Sequence, residues 1–131
     1  MMRTLGIIVV ILALVDGIVH LLLDLLVMRG ITARPPLSEL FFLNFVGYIV
    51  LIAGFLALRQ LSLRRLISAA LVIYPLVTFV AWLYFTHGRG NPLGLAEISK
   101  PVEIVLAIAA AWYWVQLGRE EEGRGVARAQ T

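Results

Sequence analysis

The stretch ALVDGIVHLLLDLLVM, residues 13–28, decides the fold. It lies in an apolar run that begins at Leu5, yet it carries Asp16, His20 and Asp24 at intervals of four. An apolar run of more than ~20 residues crosses a hydrocarbon core ~30 Å thick. An ionisable group inside such a run is costly unless it is paired, hydrated or neutral. The stretch therefore reads as a membrane span with one specialised face.

The rest of the chain agrees. Of its 131 residues, 61% are hydrophobic and only 15% charged, and mean hydropathy is +0.95. A soluble domain of this length has too little interior for that much apolar surface. There are no cysteines, which excludes disulfides, thiolate metal sites and cysteine nucleophiles. The first apolar run is longer than the ~7–15 residues of a signal-peptide core, so it is expected to stay as a span.

Four spans follow from the breakers. They are expected over residues 5–28, 37–58, 63–86 and 100–117. The separators are RGITARPP, RQLSLRR and HGRGNPLG, which are rich in Arg, Gly and Pro. Ser62 and Ser99 suit helix N-caps, and Pro101 suits a first turn. Pro75 interrupts span three and removes a hydrogen bond to the Leu71 carbonyl. The predicted fold is all-α, a four-transmembrane-helix bundle over residues 1–118. A polar tail over 119–131, GREEEGRGVARAQT from Gly118, is expected to be mobile.

Four spans put both termini on one side. With the termini inside, seven arginines fall at cytoplasmic span ends, against three arginines and Lys100 in the outer loops. That bias predicts N-in/C-in topology in the cell's inner (plasma) membrane. Trp82 and Tyr84 near one interface and Trp112 and Trp114 near the other read as aromatic belts.

In a helix, positions four apart lie nearly in line. Asp16, His20 and Asp24 thus form a stripe about 12 Å long. Ala13 and Gly17 beside it allow another helix to approach, so the stripe is expected to face the bundle interior. Under the predicted topology, Asp24, Glu39, His87, Glu97, Lys100 and Glu103 fall toward the outer side. His20, Asn44 and Thr78 lie just below, and Asp16 near mid-depth. The inner halves of spans two to four are almost wholly apolar. The pattern predicts a polar pocket opening outward, with Asp16, His20, Asp24, Glu39, Asn44, Thr78 and Glu103 as its candidate lining.

Several chemistries are weighed against that pocket. His20, Asp24 and Glu103 are candidate metal ligands, since bundle cores can join a histidine and carboxylates on one ion. His20 could serve a haem or pigment, but His87 sits some 10 Å away in depth, too far to be the second axial ligand. Cofactor identity is left open. No nucleophile elbow, phosphate-binding glycine loop or nucleic-acid patch is present, so catalysis and nucleic-acid partners are not expected.

The small residues Gly47, Gly54, Ala107 and Ala111 suit close helix contact, within the chain or in a homo-oligomer. The expected function is a non-catalytic membrane protein, oligomeric or an accessory subunit of a larger membrane complex. The alternative is a small carrier or sensor that binds a ligand, ion or proton in the pocket. LFFLNFVGYIVLIAGFLAL, YPLVTFVAWLYF and ISKPVEIVLAIAAAWYW, with Asn44, Gly47, Trp82 and Glu103, resemble small four-helix membrane proteins of the DoxX-like group. That resemblance implies a four-helix bundle and carries no residue role.

Overall fold

The computed structural model describes residues 2–28, 35–58, 60–86 and 95–129. His87 and the loop arginines Arg29, Arg34, Arg59 and Arg89 lie outside the described residues. Four helices account for nearly all of the described chain: α1 (Met2–Leu22), α2 (Pro35–Ala57), α3 (Leu61–Thr86) and α4 (Leu95–Ala129). No strand occurs among the described residues. All four helices are long and apolar enough to cross a membrane. The first is prolonged by a π-helical segment, Leu23–Met28, whose wider turns carry Asp24.

The helices pack around α1 and α4. Close contacts join α1 to α2, α1 to α4 and α3 to α4, while α2 and α3 touch more sparsely than these three pairs. The core is built from Val9 and Ala13 on α1, Tyr48 and Phe55 on α2, Leu71 on α3 and Leu106 on α4. Outside it, branched aliphatics are turned outward, with Val50 63% exposed, Leu66 65% and Ile108 62%. Such a surface suits hydrocarbon rather than water.

Small residues set the helix separations. A Cβ on Gly17 would stand 3.2 Å from the Tyr48 Cβ, so glycine lets α1 close on α2. Ala107, Ala109 and Ala110 are buried, Gly54 faces Ile67, and Gly47 faces the Tyr74 ring. The small faces are therefore occupied within the chain. Gly47→Ala would place its Cβ 2.6 Å from Tyr74 Cζ, with the hydroxyl closer still. The ring would have to leave its edge-on contact with Tyr48, 5.0 Å between centroids, and its hydrogen bond to the Asn44 carbonyl. A destabilisation of about 1–3 kcal/mol is expected on thermal unfolding in detergent. An unchanged melting temperature would show that α2 and α3 separate freely.

Two helix boundaries differ from expectation. Helix α4 starts at Leu95, so Ser99 is not its N-cap but stands a turn inside it, fully buried. It also runs through the polar segment expected as a tail, as far as Ala129. Arg65 bridges to Glu121 there at 3.1 Å, which ties the extension to α3. Helix α3 begins at Leu61, ahead of Ser62, and its first turn is joined to Gln60 by a bond from the Arg64 N–H to the Gln60 carbonyl. It continues through Pro75, where the Thr78 hydroxyl donates to the Pro75 carbonyl at 2.9 Å.

Candidate functional site

The stripe on α1 faces inward: Asp16 is 0% exposed, His20 2% and Asp24 0%. What it faces is the first part of α4. Ser99, Lys100 and Glu103 lie within one turn of that helix, which brings all three to bear on the α1 stripe. The Ser99 hydroxyl stands 2.8 Å from Asp16 Oδ1 and 3.4 Å from Glu103 Oε1. Its single proton favours the shorter bond. Lys100 Nζ donates to Glu103 Oε1 at 2.6 Å and lies 5.6 Å from the Trp82 ring centroid.

His20 joins the two carboxylates. Its Nδ1 lies 2.9 Å from the backbone carbonyl of Asp16. A carbonyl only accepts, so Nδ1 carries the proton. The neutral ring then has a bare lone pair on Nε2, which faces Glu103 Oε1 at 3.5 Å. Two lone pairs facing each other at that distance repel, and a proton on either atom would turn the contact into an attraction. Charge points the same way. Counted in their ordinary ionised forms, Asp16 and Glu103 give two negative charges and Lys100 one positive charge, a formal count one proton short of neutral. Asp16 Oδ2 and Glu103 Oε2 are also buried without a hydrogen-bond partner among the described residues.

Around this centre, Tyr48 on α2 is fully buried, its ring 6.1 Å from that of His20. Phe41, two turns earlier on α2, lies at a tilt to the same ring, 5.9 Å away. A cavity of about 260 Å³ opens between α2 and α3, which pack more sparsely than the other neighbouring helices. His20, Asn44, Thr78 and Lys100 give its polar lining, and Leu40 and Val77 are among the apolar residues of its walls. Asn44 Oδ1 is buried without a hydrogen-bond partner.

The structure thus brings Asp16, His20 and Glu103 together, with Asn44 and Thr78 on the adjoining cavity. Glu39 is exposed at the start of α2 and lines neither. Asp24 is buried further along the chain, on the π-helical segment, and is not in the group of close donors. That group is Asp16, His20 and Glu103, each offering one ligand atom within 4.8 Å of the others. Of the expected metal candidates His20, Asp24 and Glu103, the close group contains His20 and Glu103, and its third member is Asp16. The reason is geometric: Asp16 lies level with Ser99 across the α1–α4 contact. Sequence reasoning left Ser99, taken for a cap, out of the pocket lining, and left out Lys100 as well, although it was placed with Glu103 among the outer-side polar residues. The SKPVE spacing, which places Lys100 three residues before Glu103, was the available signal.

No curated protein and no solved structure matches the chain. One family does, and nothing in that match points to the DoxX-like group in particular. The sequence pattern of the family of unknown function DUF7475 covers residues 2–114, that is the first three spans, the first part of the fourth and every residue of the charge cluster, and the chain belongs to that family.

Proposed function

We propose that this is a small non-catalytic carrier or sensor of the inner membrane, which binds one exchangeable proton between His20 and Glu103. The observation that carries this reading is the acceptor-to-acceptor contact of His20 Nε2 and Glu103 Oε1 at 3.5 Å. It sits in a cluster that one proton would bring to neutrality. A buried uncompensated charge is expensive, so gaining or losing that proton is a large energetic event for the bundle. The groups around it are Asp16 on the first span, Tyr48 on α2, Tyr74 on α3 and Lys100 on α4, and Asp24 lies a turn further along the first span. The arginine-rich end, with Arg3, Arg64 and Arg65, supports cytoplasmic termini. The cluster then lies toward the outer side.

Infrared titration of the protein in lipid between about pH 4 and pH 9, the range that spans carboxylate and imidazole protonation, tests the reading. One carboxyl or imidazolium transition is expected, and Glu103→Gln should abolish it while the protein stays folded. A spectrum without any pH-dependent band that responds to Glu103 would overturn it.

A divalent cation is the second reading, favoured by the three donors within 4.8 Å. It would have to displace Lys100 from Glu103, and stoichiometric metal in the purified protein would establish it. A haem or pigment role for His20 has less support, because its ring nitrogens face Asp16 and Glu103. An oligomeric or accessory-subunit role has less support too, since the small-residue faces that suggested association are filled within the chain.

A further inference from the structure

A second cavity, of about 410 Å³, lies at the opposite end of the bundle, where α1 and α4 meet the α2–α3 junction. Its walls include Ile7, Val10, Ile11 and Leu56. Ile7 and Ile11 are each 53% exposed and Leu56 63%, so the groove is open along the lipid-facing surface. Its floor is set by Gly6, where a Cβ would come within 3.3 Å of the Tyr113 ring.

The polar lining of this groove is Arg3, Arg64 and Glu120. Arg64 and Arg65 are neighbours in sequence with opposite environments. Arg65 is satisfied within the chain, 3.1 Å from Glu121 and 4.8 Å from the Trp114 ring centroid. Arg64 lies 5.7 Å from the Phe55 ring centroid, and its Nε is buried without a hydrogen-bond partner among the described residues. Neither Arg3 nor Arg64 forms an ion pair among the described residues. With Glu120 counted, the groove carries one excess positive charge. In the charge cluster the unpartnered atoms are acceptors. Here the unpartnered atom is a donor, and it is cationic.

We infer that this groove binds an anionic phospholipid, with the phosphodiester on Arg64 and Arg3 and an acyl chain along Ile7, Val10 and Ile11. One phosphodiester charge neutralises the site, and a guanidinium matches phosphate oxygens in pairs. A zwitterionic headgroup brings its own cation and leaves the excess charge in place. The apolar walls select lipid over free phosphate, because only a lipid covers them. The inference does not depend on the proton reading, since no residue is shared between the two sites.

Native mass spectrometry of the full-length protein released from detergent tests it, with phosphatidylglycerol and phosphatidylcholine of matched chains. Wild type is expected to retain one phosphatidylglycerol in preference to phosphatidylcholine. Arg64→Gln should weaken phosphatidylglycerol binding about tenfold or more, the scale of one charge-assisted hydrogen bond. It should leave phosphatidylcholine unaffected. Arg3→Gln, at an exposed position with little bearing on folding, should act in the same direction. Arg119→Gln removes the same charge from an exposed site outside the groove and should change nothing. Inorganic phosphate should not displace the lipid. Equal retention of both lipids would overturn the inference, as would an unchanged preference in both Arg64→Gln and Arg3→Gln. Displacement by phosphate alone would reassign the groove to a free anion.

Discussion

Lys100→Met is expected to destabilise the protein by about 3–5 kcal/mol, the usual cost of stranding a buried charge. Methionine preserves much of the lysine stem, so packing against Trp82 changes little and the loss is electrostatic. Lys100 is the cation that Glu103 holds at 2.6 Å, and the Glu103 side chain is only 1% exposed. Without it, two buried carboxylates share one histidine, and water or further protons must enter. The double variant Lys100→Met with Glu103→Gln removes both charges and should recover most of the loss. Unfolding in mixed detergent measures both. A Lys100→Met protein as stable as wild type would mean that Lys100 does not balance the cluster, and the count behind the proton reading would fail.

Much of this arrangement was legible in the sequence because membrane spans impose a strict length and composition. The inward face of α1 could be read from the four-residue spacing of Asp16, His20 and Asp24. In an apolar helix, polar groups have only the bundle interior to turn to. Glu103 could be suspected for the same reason. Ser99 and Lys100 were harder. Pro92, Gly94 and Glu97 lower the apolarity just before them, so the helix seemed to begin at Lys100. In the structure α4 starts five residues earlier, and Asp16 provides a buried acceptor that makes an interior serine favourable. Tertiary contact overrides a local capping preference in such a case.

Other features left no local trace. Nothing in LDLLVM marks the π-helical segment, since its residues suit either helix type. Glu39 was grouped with the pocket by depth alone, and depth does not fix which side of α2 a residue occupies. The polar end of α4 read as a tail because of Gly123 and Gly125. Both glycines have open space around them, and the intervening Glu and Arg residues are adequate helix formers. Oppositely charged residues three or four apart, such as Glu120 and Arg124, favour continuing the helix. The small residues were correctly expected at close helix contacts, but sequence alone could not say whether the partner helix belonged to the same chain.

Asp16 separates charge from packing, because its two obvious replacements are expected to part company. Asp16→Asn keeps an acceptor for the Ser99 hydroxyl, which stands 2.8 Å from Oδ1. It also puts a donor where the carboxylate has an unpartnered oxygen. Stability should stay within about 1 kcal/mol of wild type, since the hydrogen bond to Ser99 is kept and a net hydrogen bond is worth about that much. The remaining pair, Glu103 with Lys100, is already neutral, so no added proton is needed and the infrared transition should be lost. Asp16→Leu removes the acceptor, leaving Ser99 only Glu103 Oε1 at 3.4 Å. It also forces a branched side chain into a fully buried position beside Gly17, where Tyr48 already limits the space. A loss of about 2–4 kcal/mol is expected from the unmet hydroxyl and the overpacking together. If Asp16→Asn kept the full transition, the charge of Asp16 would play no part in proton binding. If it destabilised the bundle as much as leucine, the carboxylate itself would be the structural requirement. A neutral cluster would then not be what the fold selects.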